Sequence, residues 1–403
     1  MLSRRDFLGN SAAGAAGIAL AALPAGVKVA LAAAGSPLLV VIFLRGAADT
    51  LSLVAPAGNA EYQAARPTLA LPASGTAAGT PLAGALNGQA FRLHPSAAGL
   101  AALYAAGQLA IIHAAGLTSA SRSHFLSQEM MERGYGDAEP AQATGWIARH
   151  LAAGAVSGQV PILAASAQAP MALLGEARAV SMTTPAGFRI AGGARNAAVL
   201  ARIAQGGSRR AAVMRSTLEA VTRVAAVATS EPPGAAARPG YGAGELATAL
   251  KTIADLARAE IGLTVATADF GGWDTHDGQA ARFSTLVARL SQALAALHAD
   301  LSGLGDRLTV VVMSEFGRRL LENQNRGTDH GHGGAMLVSG PGLRGGLYGA
   351  WPGLKPAALD QGRDLAITTD HRQVLAEILA RRCGQTGVRE IFPTVSGALL
   401  GFA

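Results

Sequence analysis

The chain has 403 residues, 50% of them hydrophobic and only 15% charged, enough to bury a large core in one large α/β domain or two ordinary ones, which excludes a disordered or low-complexity protein. The formal net charge of +7 comes almost entirely from arginines that are scattered singly or in short pairs such as Arg209-Arg210 and Arg381-Arg382. No basic stripe with interleaved aromatics is present, so nucleic acid is not an expected partner.

The N-terminus reads Ser3-Arg4-Arg5-Asp6-Phe7-Leu8, then an Ala/Gly-rich, weakly apolar segment to about Leu23, then Pro24, Lys28 and an Ala-rich site ending at Ala34. A charged start, a short apolar middle and small residues at an A-x-A site make a signal peptide, and the paired arginines resemble the bacterial twin-arginine signal. A membrane anchor is the rival reading, but Pro24 and Lys28 break the segment below the roughly 18 consecutive apolar residues that a span requires. Residues 1–34 are therefore expected to be removed on export to the periplasm or beyond, with no membrane partner afterwards. The single Cys383 allows no intrachain disulfide, so stability has to come from the core.

Pro37 to Leu44 is a fully apolar strand that ends at Arg45-Gly46-Ala47-Ala48-Asp49-Thr50. A carboxylate just past the first strand of an α/β sheet lies in the crevice where such folds bind ligands, which makes Asp49 a candidate metal ligand; capping the next turn is its equal alternative. A Gly/Ala/Pro-rich loop over 67–89 precedes a helix carrying Leu100, Leu103 and Tyr104 and a short strand at Leu109–Ile112. Then Ser119, Ser121 and Ser123 fall at a strand-to-helix junction. Spacing alone favours a helix cap; the sharper reading is a nucleophile at an anion-binding helix N-terminus. The segment 145–204 is expected to hold further strands and loops, 208–227 a helix, and Ser230 to Gly242 a loop.

A helix with Leu246, Leu250, Ile253 and Leu256 on one stripe leads into the strand Gly262–Thr267 and then into Gly271-Gly272-Trp273-Asp274-Thr275-His276. Two residues apart in a loop, Asp274 and His276 can converge on one ion, an O/N pair suited to zinc, manganese or iron. After a long helix from about Gln279 to Leu304 comes Leu308-Thr-Val-Val-Val-Met313, a strand buried on both faces, ending at Ser314-Glu315-Phe316-Gly317. The polar loop beyond it carries Asp329, His330 and His332 between glycines. A strand at Ala335–Val338 and a helix opening at Thr368-Thr369-Asp370-His371 complete the pattern, with Thr369 or Asp370 as cap and His371 either exposed or near the site.

Taken together, the twin-arginine start, LRGAADTL, SRSHF, GWDTH, SEFGR, GTDHGHGG and TTDHRQVLAEIL resemble an exported bacterial family catalogued as a domain of unknown function, the 1501 domain-of-unknown-function family. That family is similar in turn to the alkaline phosphatase and sulfatase superfamily. The resemblance implies a single domain over 35–403, a three-layer sandwich with a central, mostly parallel mixed sheet between helices and a metal site at the strand ends. Carried over residue by residue, it makes Asp49 the first-strand aspartate ligand and Ser123 the nucleophile, with Ser121 the next choice. Asp274 and His276 become the Asp/His pair of one metal, and His330 or His332 the late histidine. The sequence departs at Glu315-Phe316-Gly317, where the superfamily usually has Asp-His-Gly.

The activity implied is hydrolysis of a phosphate or sulfate ester, small or polymer-borne, with one or two divalent ions: zinc first, with manganese, calcium or magnesium as alternatives. Glu315 is counted among the candidate ligands, and Arg122 or Arg318 would hold the anionic group by a bidentate contact. The rival is a catalytically degenerate periplasmic binding protein that keeps the scaffold and serves an exported partner.

Overall fold

Every residue of strand β1 (Leu38–Leu44) is both apolar and buried, a pattern that requires cover on both faces of the sheet. Leu38, Val40, Ile42 and Leu44 enter one hydrophobic core while Leu39, Val41 and Phe43 enter a second on the opposite face, as the two-residue period of a strand dictates. The computed structural model describes residues 36–154, 160–229, 238–395 and 397–403. The expected signal peptide lies outside the described residues, as does the 230–237 part of the loop expected after Ser230.

Past a small three-stranded sheet of Val54–Ala55, Thr80–Pro81 and Arg92–Leu93, the strands are β2 (Leu109–Gly116), β3 (Ile162–Ala164), β4 (Val180–Ser181), β5 (Val265–Phe270), β6 (Leu308–Ser314), β7 (Arg318–Glu322), β8 (Thr328–His330), β9 (Gly334–Ser339), β10 (Gly346–Tyr348), β11 (Leu359–Asp360), β12 (Asp364–Leu365) and β13 (Thr369–Asp370). Among the described residues, eight of them join β1 in the main sheet, in the order β10-β2-β9-β6-β1-β5-β3-β4 with β13 also on β2. Only β9 runs against the rest, antiparallel to both β6 and β2. In register, Leu44 stands opposite Phe270 on one side and Ser314 on the other, so β1, β5 and β6 end level with one another.

Helices flank this mixed sheet. One face carries α1 (Ala98–Ala105), and the other α2 (His124–Arg133) and α3 (Trp146–Ala153). The chain continues through α4 (Gly193–Ala204), α5 (Arg209–Thr229), α6 (Glu245–Arg258), α7 (Gln279–Asp300) and α8 (His371–Arg382). Helices α6 and α7 join α1 on the first core, and α8 joins α2 and α3 on the second. Among the described residues, no helix is long and apolar enough to cross a membrane.

Two segments differ from expectation. Residues 145–204, read as strands and loops, also contain α3 and α4; these are alanine-rich, so helix propensity is high while the large apolar residues that would reveal a 3.6-residue period are few. The polar stretch after Glu315 is a hairpin rather than an irregular loop: Arg318 of β7 stands opposite His330 of β8. That hairpin belongs to a four-stranded sheet, β8-β7-β12-β11, and it carries the late histidines back to the end of β6.

Candidate metal centre

All the C-terminal ends of β1, β2, β5 and β6 lie at one edge of the main sheet, together with the N-terminal end of antiparallel β9. The loop after β5 brings Asp274 and His276 there, β8 brings His330, and the first turn of α2, just beyond β2, brings His124. Close backbone approach makes this possible: a Cβ on Gly46, whose φ is +111°, would stand 2.6 Å from the Asp274 nitrogen, and one on Gly331 would stand 2.3 Å from the Arg318 carbonyl carbon.

The ligand atoms of His124, Asp274 and His330 all lie within 4.8 Å of one another. Asp274 Oδ1 is 3.6 Å from His124 Nε2, 3.0 Å from His276 Nε2 and 3.2 Å from His330 Nε2, and the last two nitrogens are 3.1 Å apart. Ligands at 2.0–2.1 Å from a tetrahedral ion are separated by about 3.3 Å, so these spacings suit a shared cation. His124 Nε2 is buried with no hydrogen-bond partner among the described residues, which gives the cluster an orphaned donor atom facing inward.

Each imidazole is fixed from behind. His124 Nδ1 meets Glu315 Oε1 at 2.8 Å, His276 Nδ1 meets Asp329 Oδ1 at 3.0 Å, and His330 Nδ1 meets the Arg122 carbonyl oxygen at 3.0 Å. Carboxylates and carbonyls only accept, so each Nδ1 carries a proton, and in the neutral ring each Nε2 turns a lone pair inward. Asp274 Oδ1 then has the Arg318 guanidinium on one side at 2.5 Å and the three imidazole Nε2 atoms on the other, where a proton or a metal cation would bridge nitrogen and oxygen. Phe316, which offers no ligand atom, stacks on His124 with ring centroids 5.1 Å apart and also packs against His330.

Protonation follows from the same contacts. Burial works to raise the Asp274 carboxyl, but the hydrogen bond and charge of Arg318 bring it down to about 2. Glu315 is likewise penalised by burial and held below the usual carboxylate range by the donors His124 and Gln128. The Glu315 contact raises His124, whereas burial lowers His330.

Several residues singled out in the sequence stand elsewhere. Asp49 is not in the cluster: its carboxylate is fully buried, and Oδ2 is taken by Arg66 Nη1 (2.7 Å), Ser52 Oγ (2.7 Å) and Gln279 Nε2 (2.5 Å). Glu315 stands behind His124 instead of facing the cluster, because Gly46 N and Gln128 Nε2 converge on the same Oε1. His332 sits beside Asp360, 3.2 Å away without hydrogen-bond geometry. Arg122 is no free anion clamp, since its guanidinium pairs with Asp360 and Asp364. Arg318 is spent as well, on the carbonyls of Ala47, Thr328, Gly46 and Trp273 and on Asp274.

Ser123 holds the N-cap position of α2 in extended backbone, but its side chain makes no cap hydrogen bond, and the residue is exposed; Ser121 Oγ accepts instead from Ser123 N at 3.2 Å. Asp370 does cap α8, through Arg372 N, and His371 is buried. The candidate ligand that the sequence did not single out is His124. Its signal was a histidine at the first helical position after a strand that ends at the same sheet edge.

The chain belongs to the family described as Protein of unknown function (DUF1501), whose model matches residues 110–392. The match takes in His124, Asp274, His276, Glu315 and His330 and leaves β1 and Asp49 outside it. No curated protein matches the chain.

Proposed function

We propose that this DUF1501 protein is an exported, metal-dependent hydrolase of phosphate or sulfate esters, built on the alkaline phosphatase and sulfatase scaffold. The observation that carries the reading is the convergence of three imidazole Nε2 atoms on the Asp274 carboxylate. Three nitrogens and one carboxylate oxygen suit zinc, then manganese or iron, and disfavour calcium and magnesium, which take oxygen ligands. A bound ion would supply Lewis acidity and lower the pKa of a coordinated hydroxyl.

Ser123 is the nucleophile. Its hydroxyl is not spent on capping, it stands at the N-terminus of a ten-residue helix where backbone N–H groups favour an anion, and its neighbour His124 belongs to the cluster. Ser123 Oγ would bond to phosphorus or sulfur as the bond to the ester oxygen breaks; the departing alcohol takes up a proton, and water then releases the phosphate or sulfate and restores the serine. A binding role on the same scaffold is favoured by one observation: the guanidinium groups of Arg122 and Arg318 are both committed to the protein's own acceptors, leaving neither to clamp an oxyanion.

Elemental analysis of the mature protein, with a panel of phosphate and sulfate esters assayed with Zn, Mn, Mg or Ca supplied, separates the two. For a hydrolase, Ser123→Ala abolishes turnover with metal content intact, and Asp274→Ala lowers both. For a binding protein no ester turns over, yet an anionic ligand raises the melting temperature. Metal-loaded protein showing neither turnover nor anion-induced stabilisation overturns both readings.

A further inference from the structure

Between Gly193 and Thr229 the sequence has six arginines, Arg195, Arg202, Arg209, Arg210, Arg215 and Arg223, with a single acid, Glu219. Six positive charges less one negative leave +5 of the chain's +7 on this one stretch. It folds as the α4–α5 hairpin, with α4 packed on α5. Elsewhere in the fold arginines such as Arg45, Arg66, Arg238 and Arg318 are ion-paired with carboxylates. Arg195, Arg202 and Arg223 are exposed and have no ion-pair partner among the described residues.

On α4 the residues Arg195, Val199, Arg202 and Ile203 follow one another at i, i+4, i+7 and i+8, which places them on one stripe. All four are exposed, Val199 at 53% and Ile203 at 47%, while Ala204 is the buried residue of the helix. We propose that this face of α4 docks the protein on an anionic phospholipid bilayer.

Guanidinium groups interleaved with branched aliphatic side chains are what a helix lying in a bilayer interface presents: the cations reach anionic headgroups and the aliphatics enter the boundary with the acyl chains. A polyanion without an apolar phase would satisfy the arginines and leave Val199 and Ile203 in water. The stretch 189–229 also has no Phe, Tyr or Trp on which a nucleic-acid base would stack. Read along the chain, these arginines look scattered; the hairpin gathers them on one element.

The test is co-sedimentation of the full mature protein with phosphatidylcholine vesicles with and without phosphatidylglycerol. Binding is expected only to the phosphatidylglycerol vesicles and should weaken with salt. Arg195→Gln with Arg202→Gln should lower the partition coefficient about thirty-fold, at the value of a surface arginine near anionic lipid. Val199→Ser with Ile203→Ser should lower what survives in high salt. Because all four side chains are exposed, these variants are expected to keep the wild-type melting temperature. No binding at low salt, or equal binding to both vesicle types, overturns the proposal. So does full competition by duplex DNA with the Val199/Ile203 variant binding like wild type, which would make the face a general polyanion surface. None of these readouts depends on metal or turnover.

Discussion

Glu315 has no exposed surface, and three donors, Gly46 N from the turn after β1 and His124 and Gln128 from α2, aim at its Oε1; its work is to fix the tautomer and direction of His124. Asp329 does the same for His276. Glu315→Gln and Asp329→Asn keep shape and remove charge, so each should weaken metal binding about 10–100-fold with little change in melting temperature of the metal-free protein. Competition with a chromophoric chelator measures this, and an unchanged dissociation constant in both variants would sink the orienting role. At this scale the sequence is legible in part. That Asp274, His276, Glu315 and His330 sit at strand ends follows from apolar runs stopping where they stop. Which way Glu315 turns does not, because a strand end states position along the chain and not whether the side chain meets an open cluster or the helix behind it. Phe316 shows the same limit: the residue lacks a ligand atom, and nothing in its place along the chain states that its ring stacks on His124 of α2.

At the level of elements, the ion pair between Asp49 and Arg66 ties the turn after β1 to the β7–β8 hairpin, because Arg66 also donates to the Leu320 and Arg319 carbonyls. Gln279, at the start of α7, links the same carboxylate to Thr275 and Thr328, directly beneath the loops that present His276 and His330. Both charges are fully buried. Arg66→Met would strand the carboxylate, and the expected loss is about 3–5 kcal/mol in denaturant unfolding at neutral pH; a loss under about 1 kcal/mol would show the pair to be dispensable. Strands β1 and β6 are readable from continuous β-branched and aliphatic runs, whereas Asp49, equally placed at a strand end, was readable as a ligand only for want of its partner. Arg66 is 17 residues further on, in a segment with no pattern to announce it.

For the molecule as a whole, buried histidines far from the cluster contribute to its response to acid, His113 and His298 among them. His113 accepts from Ala114 N at Nδ1 and lies 3.1 Å from the Val54 carbonyl through Nε2; His298 Nε2 meets Ser339 Oγ at 2.9 Å. Burial pulls both rings down to about 4. Above the ordinary histidine value near 6.5 both folded and unfolded chains are neutral there, and stability is complete. As pH falls from about 6.5 to 4 the unfolded chain takes up protons that the folded one refuses, so stability is lost through that window, by at most about 1.4 kcal/mol per pH unit for each ring. Unfolding measured at several pH values should show this slope, and His113→Gln should reduce it by about one proton; an unchanged slope in the variant would remove His113 from the account. The place of β1 in the sheet has a consequence in time. It is the first strand to leave the ribosome, yet it is hydrogen-bonded on both edges to strands that come late in the chain, the second of them ending at Ser314. Closing loops of that length is slow, and until Ser314 has been synthesised β1 has no neighbour on its second edge. A nascent chain that stops short of Ser314 therefore has neither the middle of the sheet nor the histidine cluster at its edge, whose last member, His330, is made later still.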